Sequence, residues 1–201
     1  MEHFQKYQRN LDAIYTEIVK DPANAEFSEK GWEPLYFISP YSRIVIIGQA
    51  PGIKAQEKKK AWDDASGDRL RQWLGVSKEE FYDEKIFGII PMDFYYPGKG
   101  KSGDLPPRPE FSEKWHTRIF ENTPDVALTL LIGQYAQKQY LKEKRQKNTT
   151  ETVRSFASYL PTYLPIIHPS PRNGIWLSKN PWFATEVLPQ LQERVNKIIS
   201  R

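Results

Sequence analysis

The chain has 201 residues, of which 39% are hydrophobic, and this is enough apolar sequence for one sizeable core. It contains no cysteine, which excludes disulfide bridges, thiolate nucleophiles, cysteine-ligated zinc and iron–sulfur clusters held by cysteine. A formal net charge of +4 favours a polyanionic partner. We therefore expect a single domain over residues 1–201 that folds by packing alone.

No apolar stretch is long enough to span a membrane, and the first ten residues, MEHFQKYQRN, are too polar for a signal peptide. We therefore expect a soluble, cytoplasmic protein that does not associate with membranes. The three histidines are scattered and lack the spacing of metal ligands. The sequence thus predicts no metal and no other cofactor.

The first predicted element is an amphipathic helix, because apolar residues recur at helical spacing from Phe4 to Ile18 and the pattern ends near Asp21 and Pro22. Four short apolar runs follow, at residues 43–49, 85–91, 126–133 and 163–169. These runs are mostly continuous rather than alternating in polarity, which is typical of strands covered on both faces, and helical stretches separate them. The sequence therefore predicts an α/β fold, a three-layer α/β/α sandwich with a central four-stranded, mainly parallel sheet.

Several helices between and after the strands have recognisable boundary signals. Ser66 precedes the helical stretch DRLRQWLG, Ser77 begins a capping-box pattern, and Gly133 opens a further helix. The closing helix should follow Pro181 and be kinked or interrupted at Pro189, since a proline ring does not fit the interior of a helix.

The stretch between residues 95 and 110 is a long predicted loop rich in proline and glycine, and loops of this length often line sites. Ligands of open parallel sheets bind beyond the carboxyl ends of the strands. Those ends read GQAPG (48–52), PMDFYYPG (91–98), GQYA (133–136) and HPSPRN (168–173). We expect these segments to meet at one crevice that contains His168, although position alone leaves a structural role for this histidine equally open.

Four motifs, IIGQAPG, AWDDASGDRL, LTLLIGQYA and IIHPSPRN, occur in the order typical of the uracil-DNA glycosylase superfamily. The chain resembles this family over residues 43–177, in a cysteine-free form that cannot hold an iron–sulfur cluster. The resemblance implies an α/β/α sandwich with a DNA-binding groove, which hydrolyses the N-glycosidic bond of a deaminated base flipped out of DNA. It therefore implies base excision repair by a monofunctional enzyme, with a free base as product, and we expect a monomer.

Cleavage of a glycosidic bond leaves positive charge on the sugar and negative charge on the departing base, so a carboxylate and a hydrogen-bond donor are required. The resemblance places His168 as the donor to O2 of the base. The usual catalytic aspartate is replaced by Ala50, and similarity to other branches makes Asp64 the predicted carboxylate, with Asp63 second; helix capping is the alternative for both. Gln49 is an accessory candidate, because an amide can hold a water but cannot act as a general base.

A flipped base loses its stacking and needs an aromatic surface in the pocket. Trp62 is the first candidate for this surface and Phe94 the second, with core packing as the alternative for each. The backbone of Ala50, Pro51 and Gly52 is a candidate contact to the base or a phosphate.

The chain departs from the family pattern where many members read uracil with an asparagine, because it has Pro91-Met92-Asp93 there. An ionised Asp93 would accept but not donate a hydrogen bond, and would suit O4 of uracil poorly. Uracil remains the leading substrate, and hypoxanthine, xanthine or another damaged base is the alternative. A family member with lost or altered catalysis that binds nucleic acid or a free base is a second hypothesis, motivated by Ala50 and the missing asparagine.

The remaining candidates are contacts to DNA. Arg172 and Asn173 match the positions at which family members fill the gap left by the flipped nucleotide, and a surface salt bridge is the alternative for Arg172. Hydroxyl, amide and basic groups commonly contact phosphates. The predicted phosphate and groove contacts are Ser66, Ser170, Lys99, Lys101 and Arg108.

Overall fold

The computed structural model describes the backbone of residues 2–200 and the side chains of residues 4–200. Four strands lie in the order β2-β1-β3-β4, and every neighbouring pair is parallel. The strands are β1 (Ile44–Ile47), β2 (Phe87–Ile89), β3 (Leu128–Ile132) and β4 (Tyr163–Ile166). The predicted sheet is thus confirmed, with strands shorter than the apolar runs that indicated them.

Helices pack on both faces of the sheet, so the predicted three-layer α/β/α sandwich is also confirmed. The described residues form ten α-helices, which are α1 (Glu2–Lys20), α2 (Ala25–Glu29), α3 (Ile53–Lys58), α4 (Ala65–Leu74), α5 (Lys78–Phe81), α6 (Phe111–Phe120), α7 (Gly133–Leu141), α8 (Thr149–Arg154), α9 (Gly174–Lys179) and α10 (Leu188–Ile199). Not one of these helices is both long and apolar enough to cross a membrane.

Two cores flank the sheet, and β1 contributes to both because successive strand residues point to opposite faces. Ile44 and Ile46 pack with buried residues of α4, α8 and α10, whereas Val45 and Ile47 pack with buried residues of α1, α6 and α7. All four side chains are fully buried. This double burial explains why the strands appear in the sequence as continuous apolar runs.

The start of α4 differs from the prediction, whereas the closing helix follows Pro181 and is interrupted at Pro189 as expected. Helix α4 begins at Ala65 rather than near Ser66, because Asp64 is its N-cap and accepts a hydrogen bond from the Gly67 amide at 2.9 Å. The closing helical segment begins with a π-helical turn, Phe183–Val187, and continues as α10 with Pro189 in its first turn. A proline is tolerated there because its missing N–H would have had no partner within the helix.

Candidate active site

A pocket of about 90 Å³ opens where β1, β2 and β4 end. It brings together the side chains of Gln49, Trp62, Asp64 and His168 with the backbone of residues 50–52. These side chains come from three separate segments, and they meet because the carboxyl ends of parallel strands lie at one edge of the sheet.

His168 is held in one tautomer by its neighbours. Its Nδ1 accepts a hydrogen bond from the Ser170 amide at 3.1 Å, so the proton of the neutral ring is on Nε2. Burial lowers the pKa of His168 below its usual value of 6.5, and the nearby Asp64 carboxylate partly offsets this effect. The ring also stacks on Trp62, with 5.4 Å between the ring centroids. The pocket therefore contains a neutral, oriented hydrogen-bond donor.

Asn173, predicted to contact DNA, also contributes to this arrangement. Its side-chain amide donates to the backbone carbonyl of His168 at 2.7 Å, which fixes the loop that carries the imidazole.

Asp64 both caps α4 and lines the pocket. Its Oδ1 accepts from the Gly67 amide, while Oδ2 has no hydrogen-bond partner within residues 4–200. Capping and catalysis were alternatives in the sequence, but a carboxylate has two oxygens and one of them remains available to the pocket. A water molecule or a positively charged sugar could interact with this second oxygen.

The adjacent carboxylate, Asp63, has a different environment and does not line the pocket. It accepts a hydrogen bond from Lys78 Nζ at 2.7 Å and lies 3.9 Å from Lys60 Nζ. The hydrogen bond from Lys78 lowers the pKa of Asp63. The structure therefore places this candidate in a surface ion pair.

Trp62 occupies a constrained backbone conformation with φ of 59°, in the left-handed region that non-glycine residues rarely adopt. Its carbonyl accepts a hydrogen bond from Arg71 Nη1 at 2.9 Å, and Arg71 also pairs with Asp68 at 2.6 Å. A Cβ atom at Gly67 would lie 1.7 Å from the Trp62 carbonyl oxygen, so only glycine fits there. Sequence reasoning missed Gly67 and Arg71 as supports of the site, although both lie in or next to the motif AWDDASGDRL.

Gln49 links the site to the long loop after β2. Its Nε2 donates to the Leu105 carbonyl at 3.0 Å, which leaves Oε1 as an acceptor. Gln49 and His168 also line an adjoining cavity of about 420 Å³ that is bordered by Gly133 and Trp176. The site is therefore continuous with a wider groove toward the end of β3.

The family model described as "Uracil DNA glycosylase superfamily" matches residues 35–192. The chain belongs to this superfamily. Membership indicates a glycosylase, a hydrolase of DNA repair that acts on damaged bases, and it implies a DNA substrate.

Phe94 does not provide the stacking surface of the superfamily pocket in this chain. Its side chain is fully buried and stacks on Tyr36 and His116 on the opposite side of the end of β2, at centroid distances of 4.2 and 5.6 Å. Trp62 is the aromatic residue that lines the pocket.

Arg108, predicted to bind DNA, is held by the protein itself. Its guanidinium donates to both carboxylate oxygens of the fully buried Asp93, at 2.7 and 2.8 Å, and to Asn24 Oδ1 at 2.7 Å. This bidentate pair anchors the long loop and leaves Arg108 unavailable as a phosphate contact. Asp93 is likewise turned away from the base-binding pocket.

The other predicted DNA contacts are accessible. Lys99, Lys101 and Arg172 are exposed, and Ser66 lines the pocket. Ser170 Oγ accepts a hydrogen bond from the Arg172 amide, so this hydroxyl shapes the turn after β4.

His116 is a fully buried histidine beside the end of β2. Its Nε2 lies 2.9 Å from the Pro91 carbonyl and its Nδ1 lies 2.6 Å from the Tyr140 hydroxyl. Burial lowers the pKa of His116 to about 4, which means that the ring is neutral at pH 7. The neutral ring donates to Pro91 from Nε2 and accepts from Tyr140 at Nδ1.

We expect this burial to make stability pH-dependent. The folded-state pKa of His116 is lower than the unfolded value of 6.5, so its contribution is complete above pH 6.5 and is lost as the pH falls toward 4. The loss should amount to about 3 kcal/mol of unfolding free energy. Urea denaturation of the wild type and of His116→Gln between pH 7 and 4 measures it, because glutamine can donate to Pro91 but does not titrate. Equal pH dependence in both proteins would contradict the assignment.

Proposed function

We propose that this protein is a monofunctional uracil-DNA glycosylase-like hydrolase, which cleaves the N-glycosidic bond of uracil or another deaminated base flipped out of DNA. The observation that carries the proposal is the presence of a donor and an acceptor in one pocket, the Nε2–H of His168 and the Oδ2 of Asp64, which has no hydrogen-bond partner among the described side chains. They match the two charges that develop when a base leaves a sugar.

In the proposed reaction, the electrons of the C1′–N bond pass to the base, and a water oxygen forms the new bond to C1′. His168 Nε2–H donates a hydrogen bond to O2 of the base and stabilises the negative charge that develops there. Asp64 Oδ2 orients the water and stabilises the positive sugar. The water proton is released, and the products are a free base and an abasic site. Trp62 supplies a stacking surface for the base.

DNA would lie across the exposed cationic groups beside the pocket. Arg172 follows the catalytic histidine by four residues and is exposed, as are Lys99 and Lys101 in the long loop. Contacts of such residues to phosphate release counterions, so affinity for DNA should fall with increasing salt. We also propose that the protein acts as a cytoplasmic monomer without a cofactor.

Ala50 favours a second candidate function. It lines the pocket with a methyl group where many relatives carry the catalytic aspartate. If Asp64 does not replace that carboxylate, the protein binds DNA or a free base without cleaving the bond.

The proposal predicts that Asp64→Asn lowers base release about 100-fold or more, since the charge that acts on the water and sugar is lost. Asparagine still caps a helix, so folding should be preserved. The assay uses labelled single- and double-stranded oligonucleotides that contain uracil, hypoxanthine, xanthine or only ordinary bases. Asp63→Asn is the matched control, because it removes the adjacent carboxylate outside the pocket.

Full activity of Asp63→Asn together with loss of activity in Asp64→Asn would support the proposed glycosylase activity. Equal losses in both variants would contradict the role assigned to Asp64. DNA binding by the wild type without release of any base would favour the second candidate.

A further inference from the structure

The two sides of the pocket differ in polarity. The side formed by the end of β2 and the segments beside it carries apolar side chains, which are those of Leu35, Ala55, Ala61, Ile89 and Pro91. The side formed by the segments after β1 and β4 carries the polar side chains of Gln49, Asp64, Ser66 and His168, together with Ala50, Pro51 and Trp62. Strands β2 and β4 are the outer strands of the sheet, and three strand spacings separate them by about 14 Å.

Pro91 stands where the β2 end meets the base pocket, and it presents no polar group to a ligand. As a proline it has no backbone N–H. Its carbonyl accepts the hydrogen bond from His116 Nε2 at 2.9 Å, on the side away from the pocket. His116 is kept in place by the Tyr140 hydroxyl and by stacking on Phe94. A bound base therefore meets the ring carbons of Pro91.

Neighbouring backbone groups on this side are also paired within the protein. Ile89 exchanges both of its backbone hydrogen bonds with Phe37, at 2.7 and 3.0 Å. The Leu35 amide donates to the Phe94 carbonyl at 2.7 Å, and the Ala61 carbonyl accepts from the Tyr82 hydroxyl at 2.7 Å.

The two amides after Pro91 are paired as well. Those of Met92 and Asp93 donate to the carbonyls of Gly48 and Gln49, at 2.8 and 3.1 Å. The Asp93 carboxylate is occupied by Arg108. The hydrogen-bonding capacity at the end of β2 is thus used to build the fold.

A uracil bound with O2 on His168 would direct its N3–H and O4 edge toward this apolar side. Polar groups that lose water without gaining a partner are disfavoured in such an environment, whereas an alkyl group there is favoured. From this arrangement we infer that the pocket reads the base by hydrogen bonds at its O2 side only and by shape at its N3 and O4 edge. Pyrimidines alkylated at N3 or O4 then belong to its substrate class along with uracil. This inference rests on the proposed glycosylase function.

The test compares release of uracil and of N3-methyluracil from single-stranded oligonucleotides, where loss of base pairing by the methylated base does not affect the result. We expect the wild type to release N3-methyluracil at no less than about one third of the rate at which it releases uracil. A site that reads the edge by hydrogen bonds would reject the methylated base by far more than tenfold.

Pro91→Asn and Pro91→Leu form a matched pair, since both restore a backbone N–H and have similar side-chain size. The asparagine amide can pair with both N3–H and O4, so Pro91→Asn should raise the ratio of uracil to N3-methyluracil release at least about tenfold. Pro91→Leu should leave this ratio within about threefold of the wild-type value.

The outcomes separate the inference from the function on which it rests. Release of uracil by the wild type, with N3-methyluracil rejected more than about tenfold, overturns the inference and leaves the glycosylase function standing. Release of neither base from oligonucleotides that the protein binds overturns both. If Pro91→Leu and Pro91→Asn raised the ratio of uracil to N3-methyluracil release equally, the backbone N–H rather than the side chain at position 91 would contact the base. This result would overturn the inference that the side chain at this position determines which base is accepted.

Discussion

Replacement of His168 by alanine is expected to lower base release about 10²- to 10³-fold, the usual cost of removing one donor that stabilises a developing anion. Nε2–H is available as the donor because Nδ1 accepts a hydrogen bond from the Ser170 amide. Burial lowers the pKa of His168, so the ring is neutral. Affinity for DNA should change little, since phosphate contacts dominate the affinity of such proteins. Single-turnover release and fluorescence-anisotropy titrations measure the two quantities.

The salt dependence of DNA binding provides the control for this variant. An intact groove keeps the same slope of log affinity against log salt in the wild type and in His168→Ala. Parallel losses of activity, affinity and unfolding free energy would contradict a chemical role and indicate that the imidazole holds the loop together with Trp62 and Asn173.

Replacement of Asp93 by alanine is expected to have the largest effect on stability, a loss of about 3–5 kcal/mol of unfolding free energy. Asp93 is fully buried and accepts four hydrogen bonds, three from Arg108 and one from the Tyr95 amide. Removal of the Asp93 carboxylate leaves the Arg108 guanidinium without a counter-charge, while it remains packed on the rings of Phe27 and Phe111. Urea denaturation at pH 7 measures the loss.

Two further variants distinguish a buried ion pair from simple loss of packing. The double variant Asp93→Ala with Arg108→Ala should be less destabilised than the sum of the two single variants, because it leaves no unpaired charge. Asp63→Ala, which removes the partly exposed partner of Lys78, should change stability far less, since solvent screens that pair. Additive effects at Asp93 and Arg108 would contradict the pairing.

The fold could be predicted because its signals are local. The continuous apolar runs arise from strands buried on both faces, and the capping box at Ser77 and the glycine that begins α7 are present as expected. The start of α4 was misplaced by one residue, because aspartate and serine are nearly equivalent as N-caps and the sequence offers both within three positions. That the whole chain forms one domain stays a prediction.

The site could be predicted only in part. The segments that meet at the carboxyl ends of the strands were identified correctly, since parallel topology alone dictates this convergence. The roles of individual side chains within those segments could not be predicted as well from the sequence. Neighbours such as Asp63 and Asp64 differ by one position, yet one points to surface lysines and the other to the pocket.

The three-layer architecture, the family and the set of segments around the pocket could be recognised in the amino-acid sequence, because burial patterns and motif order are properties of the chain. The packing of the folded chain was needed to show that Trp62 rather than Phe94 lines the pocket and that Arg108 forms an ion pair with Asp93. The same packing places His116 where its ring forms a hydrogen bond with the Pro91 carbonyl. The Arg108–Asp93 and His116–Pro91 pairs join residues 15 and 25 positions apart in the chain, and pairing over such distances is set by packing rather than by local propensity.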